Sequence, residues 1–103
     1  MINVEFYYSD NLIDGFLISG HAGYAESGYD IICSAVSALS INTVNSIEEF
    51  TDDDYLVKTG EDGLLELHMT TNSDSSQLLL ASLKLGLQGI ANTYGNEYVN
   101  ILN

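Results

Sequence analysis

Ile2-Asn3-Val4-Glu5-Phe6-Tyr7-Tyr8, followed by Ser9-Asp10-Asn11 and then by Leu12 to Ser19, sets the architecture of this chain. Ile2, Val4, Phe6 and Tyr8 alternate with polar or amphipathic residues, the period of two that a half-buried strand requires. Ser9-Asp10-Asn11 has turn chemistry, and Leu12–Ser19 is apolar enough to return beside the first strand, although Gly15 weakens that second strand. The reading is an N-terminal β-hairpin.

The period then changes. From residue 31 to 50, Ile32, Val36, Leu39, Thr43, Ile47 and Phe50 recur at spacings of three and four, which puts them on one face of a helix. Ile41 and Val44 lie to other sides of it, so the helix is expected to be covered on more than one side. Tyr55–Thr59 and Leu64–Met69 flank Gly60-Glu61-Asp62-Gly63 as a second hairpin. Asp74 with Gln77 resembles a capping box, and Leu79, Leu80, Leu83, Leu87, Ile90 and Tyr94 continue as a second helix ending at Gly95. Gly86 and Gly89 inside it each cost about 1 kcal/mol relative to alanine, which points to close packing there. Residues 97–102 supply a last strand. The expected fold is α+β in the order ββαββαβ, one mixed or antiparallel sheet packed by two helices.

Bulk properties narrow the function. The 103 residues, 46% hydrophobic and without proline, suffice for one core and one domain spanning 1–103. Fifteen acidic residues face only Lys58 and Lys84, a formal net charge of −13. Such a surface repels nucleic-acid backbones and anionic membranes and attracts basic polypeptides. The N-terminus lacks a signal-peptide pattern, and no stretch approaches the roughly 18 apolar residues of a membrane span. A cytoplasmic protein is expected. One cysteine and two distant histidines cannot make a structural zinc site, and no Walker-type loop is present, so neither metal nor nucleotide cofactor is expected.

The chemistry concentrates in residues 20–37. Gly20-His21-Ala22-Gly23 places an imidazole just after the second strand, and Asp30-Ile31-Ile32-Cys33 places the single thiol at the start of a helix. Asp30 has the chemistry of an N-cap, which would put Cys33 near the third helical position. There the helix dipole and an adjacent imidazolium both favour the thiolate. These local effects outweigh distant acidic charges, which are screened beyond about 8 Å at physiological salt.

With His21 in reach, Cys33 is a candidate nucleophile and His21 its general base, the pairing that acyl transfer needs. Asp30 could orient His21 as well as cap the helix. Ser37, one turn beyond Cys33, could hydrogen-bond the sulfur or a substrate, or simply allow close packing. Gly20, Ala22, Gly23, Tyr24, Gly28 and Tyr29 frame a glycine- and tyrosine-rich loop suited either to closing over an extended peptide or to packing on itself. His68 is expected on the surface of a strand.

Gly20-His21-Ala22-Gly23, Gly28 and Asp30-Ile31-Ile32-Cys33-Ser34-Ala35-Val36-Ser37 together resemble the ribosomal-processing cysteine protease family, Prp, and the likeness extends over nearly the whole chain. The resemblance implies a homodimeric enzyme, with His21 and Cys33 as the dyad and Asp30 and Ser37 in support. It further implies that the enzyme removes the N-terminal extension of bacterial large-subunit ribosomal protein twenty-seven, a basic substrate that suits the acidic surface. Two other readings compete. One is a non-enzymatic acidic module that binds a basic ribosomal protein. The other is a redox-sensing thiol, disfavoured because the chain has no resolving cysteine.

Overall fold

The computed structural model describes residues 1–20 and 29–103, the side chains of Tyr29 and Asp30 excepted. Its elements follow the expected order: β1 (Ile2–Ser9), β2 (Leu12–Ser19), α1 (Tyr29–Phe50), β3 (Tyr55–Thr59), β4 (Leu65–Met69), α2 (Asp74–Tyr94) and β5 (Val99–Ile101). The strands form one five-stranded mixed sheet in the order β3-β4-β2-β1-β5. All neighbours are antiparallel except β1 and β5, which run parallel. Together sheet and helices make a single compact domain.

The first hairpin turns at Asp10 and Asn11, with φ of 52° and 68°. Both are residue types that tolerate the left-handed region, as a two-residue turn matched to strand twist requires. The alternation holds through Ile2, Val4 and Phe6, all buried, and then breaks: the register shifts between Tyr7 and Tyr8, leaving Tyr8 exposed. At this bulge the amide of Gln77 captures Ile13, accepting from its N–H at 2.8 Å and donating to its carbonyl at 2.6 Å. Gln77 therefore ties β2 to α2 and is not the partner of a capping box.

The cap of α2 is Ser73, whose side chain accepts from the Ser76 amide. Behind it lies Asp53, whose carboxylate accepts from the Ser73 amide at 2.9 Å, from the Ser73 hydroxyl at 2.6 Å and from the Ser76 hydroxyl. These bonds, led by that from the Ser73 side chain, hold the Asp53 carboxyl down at about 2. A depressed carboxyl stabilises the fold above its unfolded value and loses that contribution as pH falls from about 4 towards 2. Asp53→Ala is thus expected to be less stable than the parent at pH 7, with the difference vanishing near pH 2. Urea melts of both proteins across that range check this.

Both helices lie on one face of the sheet. Ile32, Val36 and Ile47 of α1 and Leu80, Leu83, Leu87 and Ala91 of α2 meet Val4, Phe6, Phe16, Ile18, Leu67 and Met69 in one core. Leu39 is only partly covered, and Phe50, at the end of α1, is exposed. Ile41 is exposed and Val44 half-buried, so α1 is covered along one stripe and not on several sides. Residues 31–50 do have the length and average apolarity of a membrane span, contrary to the sequence expectation, because aliphatic residues outweigh the interspersed serines and asparagines. In this fold Ile32, Val36 and Ile47 of that stretch are buried in the core, while Ile31, Ile41 and Phe50 remain exposed.

Gly86 matches its expected role: a Cβ there would come within 2.9 Å of Leu39 Cδ1, where α1 and α2 touch. Gly89 does not, since a Cβ there would meet nothing within 4 Å.

The opposite sheet face carries Tyr7, Glu66 and His68. His68 is exposed as expected, but it also stacks on Tyr7, with ring centroids 4.9 Å apart and planes at 7°. The Tyr7 hydroxyl donates to Glu66 at 2.6 Å, and His68 Nε2 lies 3.2 Å from the same carboxylate. Partial burial and this hydrogen bond push the Tyr7 phenol up to about 12.

Candidate active site

α1 begins at Tyr29, two residues earlier than a cap at Asp30 requires. Asp30 therefore lies inside the first turn, and Cys33 is the fifth residue of the helix and not the third. Side chains of a helix lean towards its N-terminus, so Cys33 still presents its thiol to the end where the free amides lie. The residue is half-buried and packs against the core.

Cys33 lines a small pocket of about 140 Å³ with Ile2, Ile18, Gly20, Val36, Ser37 and Gly63. Each wall has a structural cause. Ile2 and Ile18 come from adjacent strands, and Val36 and Ser37 lie one turn beyond Cys33 on α1. Gly20 closes the end of β2 with φ of 92°, and a Cβ there would stand 2.3 Å from the Met1 carbonyl oxygen. Only glycine fits that approach. Its N–H donates to the Asp62 carbonyl at 2.8 Å, which draws the β3–β4 turn, and with it Gly63, to the pocket.

Ile18, Val36, Ser37 and Gly63 also line a second pocket of about 210 Å³, which continues past Ser40 and Ile41 to Thr59, Leu64 and Leu65. The two form one largely apolar groove that starts at the thiol and runs between α1 and the β3–β4 hairpin. A larger cleft of about 510 Å³ lies between the C-terminal part of α2 and β5, among Gln88, Asn92, Asn96, Asn100 and Asn103. It is lined by side-chain amides and holds no nucleophile.

Of the residues expected at the site, the structure brings together Gly20, Cys33 and Ser37. His21, Ala22, Gly23, Tyr24 and Gly28, and the side chains of Tyr29 and Asp30, lie outside the described residues. Sequence reasoning missed Ile2, Ile18 and Gly63 as walls. Gly63 carried a signal only as a turn glycine, and nothing local to it indicates that this turn folds back onto Cys33. No group of histidine, cysteine and acidic residues able to hold a metal occurs among the described residues.

A thiol near the start of a helix, opening on an apolar groove, is an arrangement that nucleophilic thiol chemistry can use. A sequence profile for the family described as Cysteine protease Prp matches residues 1–100, and the chain belongs to that family of cysteine-type peptidases. The ribosomal processing cysteine protease Prp of Staphylococcus aureus is 30% identical over 105 residues, covering 98% of this chain and 97% of that protein. The one from Bacillus subtilis is 30% identical over 91 residues, covering 82% and 81%. The crystal structure of an essential ribosomal processing protease Prp from S. aureus, in complex with a covalently linked product peptide, superposes with a TM-score of 0.87 at 30% identity, covering 98% of this chain and 97% of that one.

Proposed function

We propose that this chain is the endopeptidase that removes the N-terminal extension of bacterial large-subunit ribosomal protein twenty-seven, with Cys33 as nucleophile and His21 as general base. The observation that carries the reading is the position of Cys33 at the head of an apolar groove able to take an extended peptide. Further support is the S. aureus Prp in complex with a substrate peptide, which is 29% identical and superposes with a TM-score of 0.87. Glu61 and Asp62 in the turn beside the groove, and the net charge of −13, favour a basic peptide.

In this mechanism His21 takes the Cys33 proton as the sulfur attacks the scissile carbonyl carbon. Backbone amides at the start of α1 face the oxyanion of the tetrahedral intermediate. Collapse breaks the C–N bond, and His21 passes its proton to the departing amine, leaving a thioester on Cys33. Water, deprotonated by His21, then releases the carboxylic acid and restores the thiol. Asp30 orients His21, and Ser37 contacts the substrate. Gly20, Ala22, Gly23, Tyr24, Gly28 and Tyr29 contribute the remaining substrate contacts. The enzyme works in the cytoplasm as a homodimer, without metal or other cofactor and without contact to nucleic acid or membrane.

Mass spectrometry of a synthetic peptide spanning the extension and the mature start of the ribosomal protein tests this. A single truncated product supports the reading, whereas salt-sensitive binding with no product overturns it in favour of an acidic binding module. A groove variant adds a second check. Ser37→Leu places a bulky side chain where both pockets meet, and is expected to raise KM for the peptide about tenfold or more. An unchanged KM would show that the peptide runs elsewhere.

A further inference from the structure

β3 is an edge of the sheet, and part of its backbone has no partner strand among the described residues. Asp54 and Gly60, which bracket it, are bonded towards β4. The Asp54 carbonyl accepts from the Thr70 amide at 2.8 Å, and the Gly60 amide donates to the Leu64 carbonyl at 3.2 Å. Bonding direction alternates along an antiparallel strand, so Leu56 and Lys58 also turn their N–H and C=O groups to β4. Those of Tyr55, Val57 and Thr59 point outward, away from the sheet.

This edge is bare. Leu56 and Val57 are 69% and 41% exposed. Val57 pairs with Leu67, a core residue, so its side chain lies on the helix side of the sheet, yet it stays open to solvent. Proteins blunt such edges with proline, bulges or charge, because an open apolar edge pairs with strands of other chains. Here the chain has no proline, the β3–β4 register runs without a shift, and Lys58 is the single charged residue of the strand.

The edge also continues the groove, which runs from Cys33 past Ser37 and Ile41 to Thr59, the last residue of β3. The acyl group held by Cys33 belongs to the part of the substrate N-terminal to the scissile bond. Followed back from the thiol, that part reaches Thr59 first and then Val57 and Tyr55, so its own direction matches that of β3. We propose that the substrate's N-terminal extension adds to the sheet as a strand parallel to β3, its main chain bonded to the outward N–H and C=O groups of Val57 and Thr59. This rests on the peptidase reading above and assigns the surface that holds the extension. A segment of a basic protein suits the place better than a second copy of this chain, since the net charge is −13 and Glu61 and Asp62 follow directly after β3. Every second side chain of the extension then lies on the helix side with Val57. The edge selects an alternating apolar pattern rather than one sequence.

Two peptides test this, one carrying the whole extension and one cut back to about four residues before the scissile bond, roughly 13 Å of extended chain. Calorimetric titration into Cys33→Ala is expected to show the longer peptide binding about tenfold or more tighter. Methylating the main-chain nitrogens of its distal residues one at a time is expected to remove that gain at alternate positions only, because alternate amides face β3. Val57→Pro deletes an outward donor while sparing the ladder to β4, and is expected to cut the gain to about threefold or less, with circular dichroism reporting the fold. The methylated peptides give the same answer without altering the strand. Equal affinity of the two peptides, a gain insensitive to every methylation, or a gain retained in folded Val57→Pro overturns the proposal. Loss of self-association in Val57→Pro, read by sedimentation velocity, would put a second copy on the edge and overturns it too. A parent enzyme that cleaves neither peptide, while the binding pattern holds, overturns the peptidase reading and leaves the strand addition standing.

Discussion

Replacing Cys33 by alanine is expected to abolish cleavage of the extended ribosomal-protein peptide, with a loss of at least about 10³-fold in kcat, while the thermal transition stays within a few degrees of the parent. The two halves of this expectation have separate causes. Chemistry is lost because the acyl group has no sulfur to attach to, and no second thiol exists in the chain to substitute. Stability is kept because Cys33 is only half-buried and its pocket is small and open to the groove, so loss of the sulfur leaves a shallow notch rather than a sealed cavity. The measurements are peptide turnover followed by mass spectrometry and a thermal melt on the same preparation. Turnover at the parental rate in Cys33→Ala would remove the nucleophile from the account.

The second large effect is expected at Gly15. This residue sits in the middle of the sheet, paired with Tyr7 of β1 on one side and His68 of β4 on the other. A Cβ at this position would stand 2.0 Å from the Leu67 carbonyl oxygen, a backbone atom that can move only if β2 and β4 separate. The Tyr7 and His68 rings stack across the strand that carries no side chain, as aromatics do over a glycine in a sheet. Gly15→Ala should therefore force open the central strand pair and undo the stack as well, a loss of about 3 kcal/mol or more. Chemical denaturation of the variant checks this, and a midpoint equal to that of the parent would mean that the strand pair yields more easily than the geometry indicates.

Gly15 also shows where sequence reading stops. The residue read as a weak point of a strand, because β propensity is a local quantity. Its partners come from β1, which is nearby in sequence, and from β4, some fifty residues on. The hairpins and helices were legible since each depends on a pattern within one window: alternation in Ile2–Phe6, the turn residues Asp10 and Asn11, and the stripe Leu80, Leu83, Leu87. The adjacency of β4 to β2 and the parallel return of β5 beside β1 were not, because they follow from how the helices fold over the sheet. The capping of α2 failed for a similar reason. Asp74 looked like a cap by local chemistry, but Asp53, from the far side of the β3–β4 hairpin, secures Ser73 in that role, while Gln77 serves the bulge at Ile13.

The site divides along the same line. Cys33 at the start of a helix and Gly20 at the end of a strand could be read directly, since both features are local. The groove could not, because Ile2, Ile18 and Gly63 reach it from three separate elements.

In this mechanism Cys33 carries the acyl group during cleavage. Acid-quenching the enzyme within a single turnover of the extended peptide, then measuring the intact mass and mapping the modified fragment, tests it most directly. The expected result is a gain equal to the mass of the N-terminal extension as an acyl group, on a fragment containing Cys33 and absent from Cys33→Ala. Cleavage that proceeds without any such adduct, and equally well in Cys33→Ala, would contradict it.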